Sequence, residues 1–412
     1  MTTTINNEHK KLNFSSEREQ SQACLNSAEH EKNQGRKVLN VPNLRFPEFQ
    51  GEWEKCKLGD YGKVVTGNTP PTKDIENYEN GTYLWASPAD LGIIKSITET
   101  KTMLSVKGFS KTRTLPKGSV LVTCIGSTIG KTGMATKEMS TNQQINSIVV
   151  NDNNDNEFVY YAIQSAFPRY LSSIAVQAVP IISKSAFELL PNKRPCLQEQ
   201  KRIGKFLSLL DERISTQNKI IEDLKKLKSA ISKKLLCNDK WATYKIQDIA
   251  EIGRGRVISS VEINRQKHPL YPVYSSQTSN NGIMGYLDNY MFDGEYITWT
   301  TDGANAGTVF YRKGKFNCTN VCGTLKIQPK FDCYFVSLVL QQATQKYVSS
   351  NLANPKLMNN TMASIKIKMP NIETQKQLSK VFQALDGCLS IHQRTCEMYL
   401  KEKQYLLRQM FI

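Results

Sequence analysis

Two stretches of the chain carry apolar residues at alternating spacings of four and three, the period of a helix that buries a narrow stripe. In the first stretch the ladder runs Ile203, Leu207, Leu210, Ile214, Gln217, Ile221, Leu224, Lys228, Ile231 and Leu235. In the second it runs Leu378, Phe382, Leu385, Leu389, His392, Cys396, Tyr399, Lys403, Leu406 and Met410. Each ladder has one clearly charged rung, Lys228 or Lys403. Pro195 and Pro370 stand just ahead of the two stretches, where a missing N–H costs little. The pattern predicts long helices over 196–238 and 371–412, each of about 40 residues and so about 60 Å. The regions 41–195 and 239–370 read differently, as short β-branched and aromatic runs between Gly, Asn, Asp and Pro. Strands are expected at Val120–Ile125, Ser147–Val150, Tyr296–Trp299, Thr308–Tyr311 and Thr324–Ile327, with shorter helices at Glu157–Ser172 and Tyr334–Ser349. Residues 1–40 are polar and mixed in charge, and read as a tail that orders only when bound.

The chain repeats itself. Trp53-Glu-Lys-Cys-Lys-Leu-Gly-Asp resembles Trp241-Ala-Thr-Tyr-Lys-Ile-Gln-Asp, and each leads into a glycine-rich turn, Gly62 to Gly67 and Gly253 to Gly255. Lys117-Gly118 parallels Asp293-Gly294, and Thr141-Asn142 parallels Thr319-Asn320. Pro195-Cys-Leu-Gln-Glu-Gln-Lys-Arg-Ile aligns with Pro370-Asn-Ile-Glu-Thr-Gln-Lys-Gln-Leu, and Leu210-Asp211 with Leu385-Asp386. The offset is 188 residues at the tryptophans, 176 to 178 in mid-domain, and a constant 175 from the prolines onward. The helical portion is therefore copied without a gap, and the length differences lie inside the domains. The fold class is α+β: two domains of mixed α/β character, each followed by a long helix.

Charge bears on partners. Lys and Arg total 54 against 37 Asp and Glu, a net charge of +17. Nucleic acid is the commonest polyanion to balance such a surplus, with a membrane surface the second choice. No apolar run is long enough to span a bilayer, and residues 1–40 hold no secretory signal, so a cytoplasmic protein without membrane partners is expected. The ten cysteines make no disulfide framework; Cys318 and Cys322 stand four apart, with no second pair to complete a zinc site. No metal and no cofactor is expected in this chain.

Several loops carry the residue types that read or hold DNA. Gly126-Ser-Thr-Ile-Gly130-Lys131-Thr132 resembles a phosphate loop but has three residues between its glycines where that loop needs four. It reads instead as a tight turn with Ser127, Thr128 and Lys131 at its tip. The aligned stretch contains Asp302 and Asn305. Ser275, Ser276, Gln277, Asn280 and Asn281 form a dense run of small hydrogen-bonding residues; Thr66, Asn68, Thr69 and Lys73, together with Asn142 and Gln143, form comparable clusters in the first copy. Asn and Gln suit bidentate contact with adenine, and Ser or Thr any base edge. Residues 241–370 hold 14 Lys and Arg against 8 Asp and Glu. Arg254, Arg256, Arg265, Lys267, Arg312, Lys313 and Lys315 stand near the loops as phosphate candidates, and Asn320 completes the set. An ordinary solvated surface is the competing reading of all of them. No methyltransferase, nuclease or metal-binding constellation is present, and the four histidines form none, so no catalytic residue is named.

These residues together resemble the specificity subunits of type I restriction–modification systems. The resemblance covers about residues 41 to 412. It rests on Val41-Pro-Asn-Leu-Arg-Phe-Pro-Glu-Phe-Gln-Gly-Glu-Trp53, the Trp…Lys-Leu-Gly-Asp start, Pro195…Glu-Gln-Lys-Arg-Ile, Pro272-Val-Tyr-Ser-Ser-Gln-Thr-Ser-Asn-Asn-Gly, and the order domain–helix–domain–helix. It implies two target-recognition domains, each reading half of a bipartite asymmetric DNA target, with the two helices paired antiparallel as a spacer in a pseudo-two-fold arrangement. It also implies two methyltransferase subunits and two restriction/translocase subunits, which carry adenine methylation and cutting with S-adenosylmethionine, ATP and Mg2+. Helices of about 60 Å can hold two domains at least one DNA turn, about 34 Å, apart. An antiparallel pairing centred on both ladders puts Gln217 near Cys396 and Ile221 near His392. Two other readings compete: a fused enzyme, for which the chain has no room, and a non-enzymatic coiled-coil scaffold with non-specific nucleic-acid affinity.

Overall fold

The computed structural model describes residues 40–412 except 93, 174–180, 237–238 and 350–353. The expected tail at 1–40 thus lies almost wholly outside the described residues. Two compact units emerge: the chain up to Glu212 together with Lys401–Ile412, and Arg213–Leu400.

In unit 1 the strands are β1 Glu54–Lys57, β2 Gly62–Thr66, β3 Tyr83–Ala86, β4 Ser96–Ile97, β5 Thr102–Leu104, β6 Val120–Thr123, β7 Thr132–Ala135, β8 Ser140–Thr141, β9 Ile145–Val150 and β10 Pro191–Arg194. The main sheet has the order β2-β9-β6-β7-β4 and a smaller one β5-β3-β8, while β1 pairs antiparallel with β10 to close the unit. Strand β6, Val-Leu-Val-Thr, is buried at every residue, so the run is continuously apolar where a half-exposed strand would alternate. Helix α1, Asn156–Ser173, packs against β6 and β7.

Unit 2 repeats this plan in fewer strands: β11 Ala242–Lys245, β12 Ala250–Arg254, β13 Tyr271–Tyr274, β14 Ile283–Leu287, β15 Glu295–Thr300, β16 Val309–Lys313, β17 Asn317–Cys318, β18 Cys322–Ile327 and β19 Lys366–Met369. The sheet orders are β12-β18-β15-β16 and β14-β13-β17, and β11 pairs with β19. The strand matching β4 is the one left out. Trp299, fully buried, lies on β15 and donates its indole N–H to the Leu357 carbonyl at 2.9 Å. Two expectations need adjusting. The helix predicted at Tyr334–Ser349 is α2 over Cys333–Ala343 followed by a tighter turn at Thr344–Tyr347, where the Thr344 hydroxyl donates to the Gly307 carbonyl. The strand predicted at Val120–Ile125 stops at Thr123.

Two long helices follow their domains: Leu197–Leu235, of 39 residues, and Ile372–Gln409, of 38. They are called the first and second spacer helix. Each starts with the same device. The buried Gln200 and Gln375 side chains donate to the Pro195 and Pro370 carbonyls, and accept from the backbone N–H of Asp155 and Asp332, which cap α1 and α2. This explains why the Gln-Lys segment is the best-matched part of the repeat: one amide ties the start of each spacer helix to the start of its domain helix.

The predicted seam residues are buried or half-buried except Leu235, which is exposed at the end of the first helix. Ile203, Leu207, Leu210, Ile214, Ile221, Phe382 and Cys396 are buried, and Gln217, Leu224, Leu378, Leu385, Leu389, His392 and Tyr399 are half-buried. Within unit 2 the partners run in opposite directions: Lys228 with Asp386, and Asn218 with Cys396. The pairing is antiparallel. The register agrees with the expectation to within one residue: Cys396 donates to Asn218, next to Gln217, at 3.4 Å, and Lys228 meets Asp386; Gln217 Oε1 also reaches His392 Nδ1 at 2.7 Å. The charged rungs have partners as well. Lys403 donates to Asp211 Oδ1 at 2.7 Å in unit 1, and Lys228 donates to Asp386 in unit 2. Each aspartate also accepts from a domain tyrosine, Tyr161 or Tyr334, at 2.6 Å. Burial, and then the adjoining carboxylate, push both tyrosine hydroxyls well above their ordinary pKa, so they remain donors.

Candidate nucleic-acid interface

The Gly-x-x-x-Gly turn is the same object in both units. In unit 1 it joins β6 to β7, with Gly126 and Gly130 at φ of 94° and 90°; in unit 2 Gly303 and Gly307 stand at 96° and 83°. Gly130 N–H donates to the Thr123 carbonyl and Gly307 N–H to Thr300, both at 2.9 Å. Lys131 N–H donates to Thr128 and Thr308 N–H to Asn305. These amides close the turn on itself and do not form a cradle for phosphate. Ser127 is exposed at the tip, with Thr128 and Lys131 half-exposed.

In unit 1 the 66–69 and 141–146 segments, which carry most of the other candidates, lie against each other. Thr69 Oγ1 donates to Gln143 Oε1 at 2.5 Å, and Gln143 is exposed. Lys73 is exposed. Three expected contact residues are occupied by the fold. Asn142 is buried and shares two hydrogen bonds with Gln144. Asn68 donates to the Lys111 carbonyl and accepts from Arg113 N–H. Thr66 donates to Asn146 at 2.6 Å. Gly67 and Gly255 mark the same chain crossing: a Cβ on Gly67 would lie 2.2 Å from the Asn142 carbonyl oxygen, and one on Gly255 2.1 Å from that of Cys318, so Thr141-Asn142 corresponds to Cys318-Thr319, one residue from the expected Thr319-Asn320. Each glycine sits where two chain segments cross without room for a side chain.

In unit 2 Arg312 is the chief correction. Expected to hold phosphate, it is 7% exposed. Its guanidinium lies 3.5 Å from the centroid of the Tyr274 ring and 4.4 Å from that of Phe310, and it donates to Thr298 Oγ1 and to the Asn281 carbonyl. Burial lowers its pKa, and it makes no ion pair with a carboxylate among the described residues. Arg256 is paired with Glu262, and Arg254 donates to Thr301 at 2.9 Å while remaining exposed. Asp302 accepts from Asn354, and Asn305 donates to the Ser276 carbonyl at 3.1 Å, stitching the turn to the 275–282 loop. Ser275, Ser276 and Gln277 are half-exposed, Gln277 donating to the Ile283 carbonyl. Asn280, Asn281 and Asn320 are exposed. Cys318 and Cys322 are both buried, burial raising the Cys322 thiol to about 11. Among the described residues no group of three or more His, Cys, Asp or Glu is placed to hold a metal ion, and no helix is long and apolar enough to cross a membrane.

The model of the type I restriction–modification DNA specificity domain matches the chain twice, over residues 50–226 and 238–397. The chain belongs to the type I restriction–modification specificity subunits. The specificity subunit of the Mycoplasma pneumoniae restriction enzyme MpnII is 38% identical over 178 residues, 42% of this chain and 53% of that one. Another Mycoplasma pneumoniae protein named for the same subunit class is 39% identical over 178 residues, 42% of this chain and 74% of that one. The fold is that of the crystallised specificity subunit from M. genitalium, at a TM-score of 0.68 and 19% identity over 90% of this chain and 99% of that one. A chain from a structure describing complex assembly and conformational transition of a type I system matches at a TM-score of 0.51 and 14% identity, over 87% and 97%. Specificity subunits are not catalytic.

Two groups of residues escaped sequence reasoning. The Tyr161–Asp211–Lys403 contact joins three distant segments, and only the charged rung at Lys403 signalled it. Glu199, 1% exposed, accepts from Arg45 and from the Trp53 indole, and so pins the segment before β1. Its counterpart in the second copy is Thr374, so the repeat gave no sign of it.

Proposed function

We propose that each unit reads one half of a bipartite, asymmetric double-stranded DNA target, and that the subunit positions partners that carry the chemistry. Those partners are two methyltransferase subunits, which use S-adenosylmethionine to methylate adenine, and two restriction/translocase subunits, which use ATP and Mg2+ to move along and cut DNA in the cytoplasm. This chain contributes recognition alone. One observation carries the reading: the two units share one framework, down to the Gly-x-x-x-Gly turn and the glutamine tie, yet differ in the loops that surround that turn. A common framework with unlike loops suits two unlike half-sites, since base edges are read locally. The net charge of +17 supplies the sequence-independent attraction to phosphate.

The test is to express the full chain with its methyltransferase partner and map adenine methylation across a genome. A split motif with a fixed unread gap is expected. Replacing residues 41–195 by another recognition domain should change one half of the motif and leave the other; a change in both halves, or in neither, defeats the modular reading.

A further inference from the structure

The loop that joins β13 to β14 is held in a conformation that side chains rarely adopt. Asn280 and Asn281 both have left-handed backbones, with φ, ψ of 49°, 42° and 52°, 26°, and Gly282 follows at φ 80°. Left-handed asparagines commonly settle by hydrogen-bonding their own backbone through the side-chain amide. Here neither amide does so. The conformation is imposed from outside: Arg312 donates to the Asn281 carbonyl at 2.8 Å, and Ser275 N–H donates to the Gly282 carbonyl at 2.9 Å. Both amides are left exposed, on a tip whose backbone is fixed. A rigid loop with free carboxamides is suited to bidentate contact with adenine, because little ordering remains to be done on binding.

The internal repeat adds a second, independent observation. By strand register, Thr298 opposite Phe310 and Leu121 opposite Gly133, Arg312 corresponds to Ala135, which is buried in the unit 1 core. Unit 1 also lacks the left-handed pair: its only described non-glycine residue with positive φ is Asn80. The buried guanidinium and the strained asparagines therefore occur together in one copy and are both absent from the other. In an otherwise shared framework, that is the mark of a device for one half-site.

We infer that Asn280 and Asn281 determine the bases read by unit 2, and that Arg312 is the positioning residue that presents them and does not itself contact phosphate. The inference rests on the DNA-reading role proposed above. The test uses the full chain in complex with its methyltransferase partner and duplex DNA carrying the mapped motif. N280G/N281G keeps the left-handed backbone and removes both amides; R312M removes the guanidinium. In competition binding against duplexes with single base changes, both variants should lose about tenfold or more of the discrimination at positions in the half-site left unchanged by the 41–195 replacement. Discrimination in the other half should stay as it was. Unaltered discrimination in N280G/N281G overturns the assignment of the asparagines, and equal loss in both halves overturns it too. A uniform fall in affinity for R312M, with discrimination intact, removes its positioning role. If the DNA-reading role itself is wrong, the native chain yields no split motif, which is a separate result.

Discussion

Asp211→Ala should destabilise unit 1 by about 2–4 kcal/mol, whereas Asp386→Ala should cost unit 2 about 1 kcal/mol. The two aspartates occupy the same place in the repeat, and each binds a tyrosine and a lysine. Burial separates them. The Lys403 and Asp211 side chains are 13% and 15% exposed, against 24% and 40% for Lys228 and Asp386. Removing Asp211 leaves an ammonium and a phenol in a nearly dry site with nothing to accept from either, and a stranded buried charge is expensive. Water can reach the second site and take over the role of the missing carboxylate. Hydrogen exchange resolves the units: peptides from α1 should lose protection in Asp211→Ala more than those from α2 do in Asp386→Ala. Equal losses would show that burial does not govern these contacts.

Phe382→Ala should cost unit 2 about 3–5 kcal/mol, while Leu389→Ala, two rungs further along the same seam, should cost about 1–2 kcal/mol. Periodicity gives the two rungs equal standing. The structure does not: Phe382 is fully buried among domain residues that include Phe335, Leu340 and Ile365, with Leu378 and Leu385 packed alongside, whereas Leu389 is half-buried on the helix pair. The first turns of the spacer helix thus belong to the domain core. Urea titration of both variants checks the difference, and similar midpoints would mean that the helix pair is an independent coiled coil.

Periodicity made the helices legible because one stripe of side chains faces one partner over their whole length, and the constant offset of 175 made the repeat legible. The central strands could be read because they are covered on both faces, which leaves uninterrupted apolar runs. Short edge strands such as β4 and β8 escaped, since two residues have no period. Contact residues were the least legible. Arg312 and Asn142 have the composition of a DNA surface but serve the interior, and nothing local distinguishes a guanidinium that faces phosphate from one that lies between two rings.

Gln217 and His392 hold one more consequence. They are the same aligned position in the two copies, and they touch each other. Had two identical half-length chains associated through this surface, a single codon would have written both residues, and the position could only have faced itself, glutamine on glutamine or histidine on histidine. An unlike pair there requires two separately inherited codons. With both copies in one chain, this position is free to hold an unlike, complementary pair that a symmetric dimer of one half could not form.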